Sequence, residues 1–384
     1  MSWRDELIDE EIDFLAKKIR MRAESEEMTP IQRYANVVLG IEPDRLPVFA
    51  FSVEWTAHWL GYQLNKDFAY DYKKWVHTTL AGVDRTSADM CSCGYDIYNI
   101  GPDAMGAEIK FPEDAIPEIV KPAVKTPDDL ANLKIPDPHK DGRNPLLLKA
   151  LKLVKEKIGD IVPIMAMVNG PFSWAASLRG IYDYLADLKR NPKFAKDLLE
   201  IVTDAVIEYT KAELELGLTP IIMADALASK YVLSPKQIEE YCIWSYRKIE
   251  DAIGKQNFMG SPLGDLEDQK RFMEMDIGVP ALGLTNYGFC DRTGTDPLNE
   301  EDILNQKKLA RELGCLNLVN LWGQWVQVHS PREIEEEVKR IIKLAGPELP
   351  FMVGIWYIPL GTPVENIDAF VRAIKKYGKF PLQL

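Results

Sequence analysis

Two rhythms of apolar and polar positions alternate along the chain. Short runs of apolar residues, as in strands buried on both faces, are separated by longer stretches in which apolar residues return every three or four positions. The short runs fall at 46–51, 88–93, 162–168, 219–223, 257–260, 281–284, 316–320 and 351–355. The longer stretches include PKFAKDLLEIVTDAVIEYTKAELELG and PREIEEEVKRIIKLAG. Pro192 and Pro331 stand near their starts, Gly217 and Gly346 near their ends, as helix boundaries favour. Strand and helix in alternation predict parallel strands joined by crossover helices, and eight such strands make an α/β fold of the (β/α)8 TIM-barrel type. Its site then lies at the C-terminal ends of the strands.

Leu7, Ile8, Ile12, Leu15 and Ile19 recur at helical spacing and predict an amphipathic helix over 3–25, docked on the barrel or on a second subunit. One stretch breaks the rhythm. Residues 94–145 carry eight prolines and predict an excursion of loops and short strands after the second strand, too long for an ordinary βα loop. No repeat or flexible linker interrupts the chain. It reads as one domain over 1–384, with 1–27 a helical extension.

Composition narrows the function classes. The 384 residues hold 46 Lys and Arg against 59 Asp and Glu, a formal charge of −13, which argues against nucleic acid or an anionic membrane as partner. No window approaches the roughly 18 uninterrupted apolar residues of a membrane span. The charged N-terminus has no apolar stretch of signal length. Five Cys at irregular spacing suit a reducing cytosol, so a cytoplasmic location is expected. Four His are few for a metal centre.

Five segments, in order, carry a resemblance. They are MTPIQRYANVVLGIEPDRLPV (28–48), YDIYNIGPDAMGAEIKF (95–111), NGPFSWAASLRG (169–180), ADALASKYVLSP (224–235) and IPLGTPVENIDAFVRAIKKYG (358–378). Together they resemble the uroporphyrinogen decarboxylase superfamily, which includes the decarboxylase itself and corrinoid-linked methyltransferases. The resemblance implies a TIM barrel, and the Thr-Pro-x-Glu-Asn segment near the end is typical of the methyltransferase branch. The decarboxylase grips its polycarboxylate substrate with arginines just after strand one. Here that stretch is Phe49-Ala50-Phe51-Ser52-Val53-Glu54-Trp55, without an arginine to make bidentate carboxylate contacts. The superfamily's zinc methyltransferases activate a thiol with a His-x-Cys pair after strand five and a Cys after strand eight. Those positions align with Asn257, Met259 and Trp356, none of which is a zinc ligand. The resemblance therefore implies the fold and the methyltransferase branch, without the thiol-activating zinc.

Candidate site residues follow from the predicted strand ends. Glu54, amid Trp55 and Trp59, is expected to be desolvated and so to hold its proton near neutrality; the alternative is an ordinary helix-start carboxylate. Asp96 matches the decarboxylase's catalytic Asp. Asp225 ends strand four, where capping is the alternative role. Tyr287, after strand six, offers a proton or hydrogen bond to a leaving phenolate oxygen. Catalysis is accordingly expected from Glu54, Asp96, Asp225 and Tyr287. Substrate binding is expected from Trp55, Trp59, Asn169, Trp174, Asn286, Trp322, Trp356 and Tyr357, whose rings, with Trp325, would form a flat apolar slot; core filling is the alternative. Cys91 and Cys93 share one face of strand two, the lumen being one option. With Asp96 or Glu54 they could hold a metal, and His58 is a further candidate ligand; the alternative for the two Cys is core filling. A meeting of Asp103, Glu118 and His139 through the excursion is a further option.

The leading expectation is a methyltransferase that demethylates a small methoxylated aromatic and passes the methyl group to the cob(I)alamin of a separate corrinoid protein, an anaerobic one-carbon reaction. No segment resembles a corrinoid-binding Asp-x-His-x-x-Gly, so cobalamin is expected from the partner and no cofactor in this chain. A homodimer is left open. The alternatives are a decarboxylase or lyase of a non-porphyrin acid acting through Asp96, and a non-catalytic ligand-binding barrel.

Overall fold

The structure, a computed structural model, describes residues 3–50, 52–113, 115–262, 266–279, 281–284, 299–355 and 357–382. Eight parallel strands fall where the apolar runs place them: β1 Val48–Ala50, β2 Cys91–Ser92, β3 Ile164–Asn169, β4 Ile221–Asp225, β5 Phe258–Pro262, β6 Ala281–Leu284, β7 Leu316–Asn320 and β8 Phe351–Ile355. They pair as two four-stranded arcs, β1-β8-β7-β6 and β2-β3-β4-β5. Two backbone hydrogen bonds join the arcs into a ring. Asp89, leading into β2, donates to Val48 O at 2.8 Å, and Val279, leading into β6, donates to Phe258 O at 2.8 Å. The sequential order of strands around the ring is that of a TIM barrel.

Successive residues of a strand face opposite sides, so each strand supplies one set of side chains to the lumen and one to the helices. Phe49, Met90 and Met352 pack in the lumen with Met165, Leu316 and Leu318, and Val37 and Tyr34 of the helix Pro30–Val38 close the end from which the strands start. Gly354 makes this possible: a Cβ there would lie 2.5 Å from Phe49 Cδ1 and 2.8 Å from Asn320 Oδ1. The larger core lies between strands and helices.

A buried ion network fixes the same closed end. Asp89 takes Arg33 Nη1 at 2.5 Å, Arg45 Nη1 at 2.6 Å and the Val48 N–H at 2.6 Å, while Asp44 and Glu26 satisfy the rest of the two guanidinium groups. The Asp-Arg pair of the DRLPV segment is thus a structural lock beneath β1.

The helix Trp3–Ser25 forms where the spacing predicts it and buries Ile12, Ala16, Ile19 and Ala23 on the barrel's outer helices Tyr72–Thr86 and Asn144–Ile158, whereas Leu7, expected in the same row, is exposed. The excursion holds the expected short strands, an antiparallel hairpin of Glu108–Lys110 and Glu118–Lys121. It also holds a helix, Ile97–Ala104, that the sequence reading leaves as loop because Gly101 and Pro102 stand inside it.

Candidate active site at the open end of the barrel

Two carboxyl groups stand just beyond the first two strands. Ser52 N-caps the helix Val53–Trp59, its Oγ accepting the Trp55 N–H at 3.1 Å and donating to Ile358 O at 3.0 Å across the mouth. Glu54 Oε2 lies 3.3 Å from the same Oγ. The same hydroxyl donates to Glu54 Oε2 as the alternative to Ile358 O, since it has one proton to give. Burial pushes the Glu54 carboxyl above the ordinary range, and the backbone at the helix start and Ser52 only partly offset it.

Asp96 adopts the left-handed conformation, φ 58° and ψ 47°, at the start of helix Ile97–Ala104. Asp tolerates this region better than most residues, and the turn aims its carboxyl back toward the mouth. Arg143 Nη2 donates to Asp96 Oδ2 at 2.8 Å and Asn99 Nδ2 to Oδ1 at 2.6 Å. The Asp96 side chain is 5% exposed. Burial pushes its carboxyl up to about 7, against the pull of Arg143, and the neighbouring Glu54 carboxyl adds to the rise. Tyr95 donates to Leu64 O at 3.2 Å, and its phenol is raised by burial and by the nearby Asp96, Glu54 and Tyr357. Glu54, Tyr95, Asp96 and Tyr357 therefore share one side of the mouth.

Arg143 is the residue the sequence reading misses. Its buried guanidinium spans two carboxylates, Asp96 and, through Nε at 2.9 Å, Asp103, under the ring of Phe111 at 5.0 Å. The signal was there: two Asp seven positions apart share a face of a helix, and such a buried pair calls for a cation. Asn169 faces the lumen at the end of β3. Pro102 has no N–H, so the Tyr98 carbonyl lacks its usual helical donor, and Asn169 Nδ2 takes that place at 2.9 Å. Asn169 Oδ1 is buried and receives no hydrogen bond from the described residues, leaving an acceptor for a ligand at the rim.

Other predicted positions lie elsewhere. Asp225 is fully buried and saturated: it accepts the N–H groups of Phe172 and Ser173, the Ser173 hydroxyl at 2.5 Å and the Tyr246 hydroxyl at 3.1 Å. Its geometry is that of an anchor for helix Pro171–Arg179, with no oxygen directed at a substrate. Trp174 packs outside the lumen, edge-on to Tyr209 at 5.2 Å and over Gly101, where a Cβ would lie 2.0 Å from the indole. Trp55 is buried with its indole N–H on Thr362 O, and stacks at 6.3 Å on Trp59, which is 42% exposed beside Arg85. Trp322 precedes the helix Gly323–Val328, and Trp325 stacks on His329 at 4.1 Å. The aromatic slot is thus dispersed into helix packing for Trp55, Trp59, Trp174 and Trp325. Asn286, Tyr287 and Trp356 lie outside the described residues.

The metal candidates separate as well. Met90 faces the lumen, so Cys91 and Cys93 do not: Cys91 packs toward Thr78, Thr79 and Gly82, and Cys93 bonds Thr79. Burial raises both thiols, Cys93 to about 12, which disfavours the thiolate a metal requires. His58 is exposed, and among the described residues no three His, Cys, Asp or Glu converge as a metal site. Asp103, Glu118 and His139 pair separately, with Arg143, Lys110 and Glu215. Asn257 precedes β5 at the closed end, its amide donating to Ile253 O. The strand's own exit, Ser261 and Pro262, offers no imidazole or thiolate, so the donor set does not fit a thiol-activating zinc.

Comparison with known proteins agrees with this architecture. Residues 29–377 match the family Uroporphyrinogen decarboxylase (URO-D). A methylated-thiol–coenzyme M methyltransferase of Methanosarcina mazei is 22% identical, over 91% of this chain and 90% of its own. The methylcobamide:CoM methyltransferase MtaA of Methanosarcina barkeri is 28% identical over 72% and 76%, and the uroporphyrinogen decarboxylase of Pseudoalteromonas atlantica 27% over 78% and 82%. Among solved structures, a methyltransferase from Methanosarcina mazei superposes with a TM-score of 0.74 at 19% identity, covering 91% of this chain and 99% of that one. With a TIM barrel in place and nearly its whole length matched, the chain belongs to the uroporphyrinogen decarboxylase (URO-D) family.

Proposed function

We propose that this protein is a methyltransferase that takes the methyl group from a small methoxylated aromatic and delivers it to the cob(I)alamin of a separate corrinoid protein. The observation that carries the reading is the pair Glu54 and Asp96: two carboxyl groups at the barrel mouth whose environments favour the protonated form. An aryl methyl ether leaves as a phenolate, so its cleavage needs a proton at the ether oxygen in the transition state. The reduced corrinoid supplies the nucleophile when its protein docks on the mouth. The C–O bond breaks as the methyl group leaves, and the oxygen takes the proton of Asp96, whose carboxylate Arg143 then stabilises. Glu54 holds a second proton, and Asn169 Oδ1 accepts a hydrogen bond from a free hydroxyl of the substrate.

The long matches to two proteins named as methyltransferases support the class. A thiol acceptor would need activation to its thiolate, and the exits of β5 and β8 carry no His or Cys for that purpose. This favours the side of the reaction on which the methyl group leaves an oxygen. The match to a uroporphyrinogen decarboxylase, together with the resemblance of the Asp96 segment to that family's motif, favours a second reading: decarboxylation of a non-porphyrin acid. The loop after β1 lacks the arginines that a polycarboxylate substrate calls for. Incubation with a reduced corrinoid protein and a panel of methoxylated aromatics separates the two. Phenol release that requires the corrinoid protein supports the first; carbon dioxide release without it supports the second.

A further inference from the structure

Four buried side chains behind Asp96 each keep a polar atom that the described residues leave without a hydrogen bond. They are Arg143 Nη1, Asn144 Oδ1, Trp174 Nε1 and Tyr209 Oη. Arg143 and Asn144 are 0% exposed, Trp174 1% and Tyr209 3%. Nearly every buried polar group in a folded protein finds a partner, so four left over in one region call for a ligand.

One crossing of helices gathers them. Ile97–Ala104 packs on Asn144–Ile158 and on Pro171–Arg179, and Pro192–Leu214 packs on both of those. Trp174 lies over Gly101 and edge-on to Tyr209 at 5.2 Å. Two positions beyond Gly101, Asp103 takes Arg143 Nε at 2.9 Å, and Asp96 takes Nη2, which leaves Nη1 as the third nitrogen of the fork. Burial and then the Asp141 and Asp103 carboxylates raise the Tyr209 phenol, and Arg143 pulls it down, so its hydroxyl lies within reach of all three charges. Asn144 spends its amide on Pro138 O at 3.0 Å and retains its oxygen.

The chemistry of the four atoms selects the ligand. Two are donors only, one is an acceptor only, and the phenol is both. An anion would meet the Asn144 oxygen and the carboxylates near Tyr209, and a cation would meet the guanidinium. Water accepts two hydrogen bonds and donates two, and buried waters make two to four of them to groups otherwise unsatisfied. We infer that an internal water links Arg143 Nη1 and Trp174 Nε1 to Tyr209 Oη and Asn144 Oδ1, and that Tyr209 is thereby a positioning residue for the Arg143–Asp96 pair. With all three nitrogens tied, the guanidinium cannot swing off the Asp96 carboxyl. Holding it there is independent of the reaction Asp96 serves, so neither substrate nor corrinoid protein enters the test.

A crystal structure that resolves ordered waters, together with infrared titration of the Asp96 carboxyl, tests the assignment. The Asp96 signal is the protonated-carboxyl band that Asp96→Asn loses. We expect a water within hydrogen-bond reach of Arg143 Nη1 and Tyr209 Oη. Tyr209→Phe keeps the ring on Trp174 and removes only the hydroxyl. A loosened Arg143 pulls the Asp96 carboxyl down less, so the midpoint of the band should move upward by about half a pH unit. Tyr184→Phe removes another buried hydroxyl, one that donates to Ala195 O at 3.1 Å near Asp225 and Cys242, and should leave the midpoint in place. A dry position overturns the proposal, as does bromide found there in a soaked crystal. A Tyr209→Phe midpoint equal to that of the wild type, or an equal shift in Tyr184→Phe, also overturns it.

Discussion

Asp96 combines a left-handed backbone, a buried carboxyl and a guanidinium partner, and each feature serves the next. The turn brings the carboxyl to the mouth, burial keeps its proton, and Arg143 stands ready for the charge that remains. In the proposed reaction Asp96 gives its proton and so acts from the protonated form of the free enzyme; on that proposal kcat/KM should fall as pH rises through about 7. Asp96→Asn should lower kcat by about 10²–10⁴-fold with a smaller change in KM, which steady-state kinetics at pH 6 will read. Linkage gives a second consequence. The folded-state pKa of Asp96 lies above that of the unfolded chain, so the native state binds more protons, and this group's contribution to stability is full below about pH 4 and lost as pH rises to about 7. Thermal unfolding of wild type and Asp96→Asn across that window should show the difference. Arg143→Met leaves Asp96 and Asp103 without their shared cation. It should destabilise by about 3–5 kcal/mol and move the alkaline limb of the pH profile upward, whereas Arg143→Lys retains a charge but cannot span both carboxylates.

The placement of strands and helices was legible at the level of elements, and the facing of individual side chains was not. Parallel strands covered on both sides read as unbroken apolar runs, so all eight stood out, and Pro331 and Gly346 marked the helix Pro331–Ala345 to the residue. A run of that kind carries no sign of which face is lumen. Cys91 and Cys93 were therefore open to either side until Met90 fixed the parity. Aromatic residues just past a strand were harder still. The chain turns into a helix there, and one residue changes direction by roughly 100°. Trp55 and Trp174 accordingly point into the helix layer, not over the mouth. The helix Ile97–Ala104 was hidden by Pro102, and with it the role of Tyr98 in holding Asn169. Asp225 also belongs to this scale. It ties β4 to helix Pro171–Arg179 and to Tyr246, so Asp225→Asn, which replaces an acceptor oxygen with a donor amide, should destabilise by about 2–3 kcal/mol in chemical denaturation. The folded variant should keep its kcat.

The whole molecule divides into an end locked by buried ion pairs and an end that carries the proposed site. Asp89, Arg33 and Arg45 lock the closed end, and Asp89 also receives the backbone of β1 where the two sheet arcs meet. Asp89→Asn should lower the melting temperature by several degrees while sparing the chemistry at the other end, since breaking a buried pair exposes its cost without touching the mouth. At the open end, rigid strands present Glu54, Asp96 and Asn169, and a separate corrinoid protein completes the proposed reaction. The most direct test combines the wild type and Asp96→Asn with a reduced corrinoid protein and methoxylated aromatics, monitoring phenol and carbon dioxide. Corrinoid-dependent phenol release by the wild type, declining above about pH 7 and lost in Asp96→Asn, is the expected result. Carbon dioxide released without the corrinoid protein, or phenol release indifferent to Asp96, would contradict the proposed function.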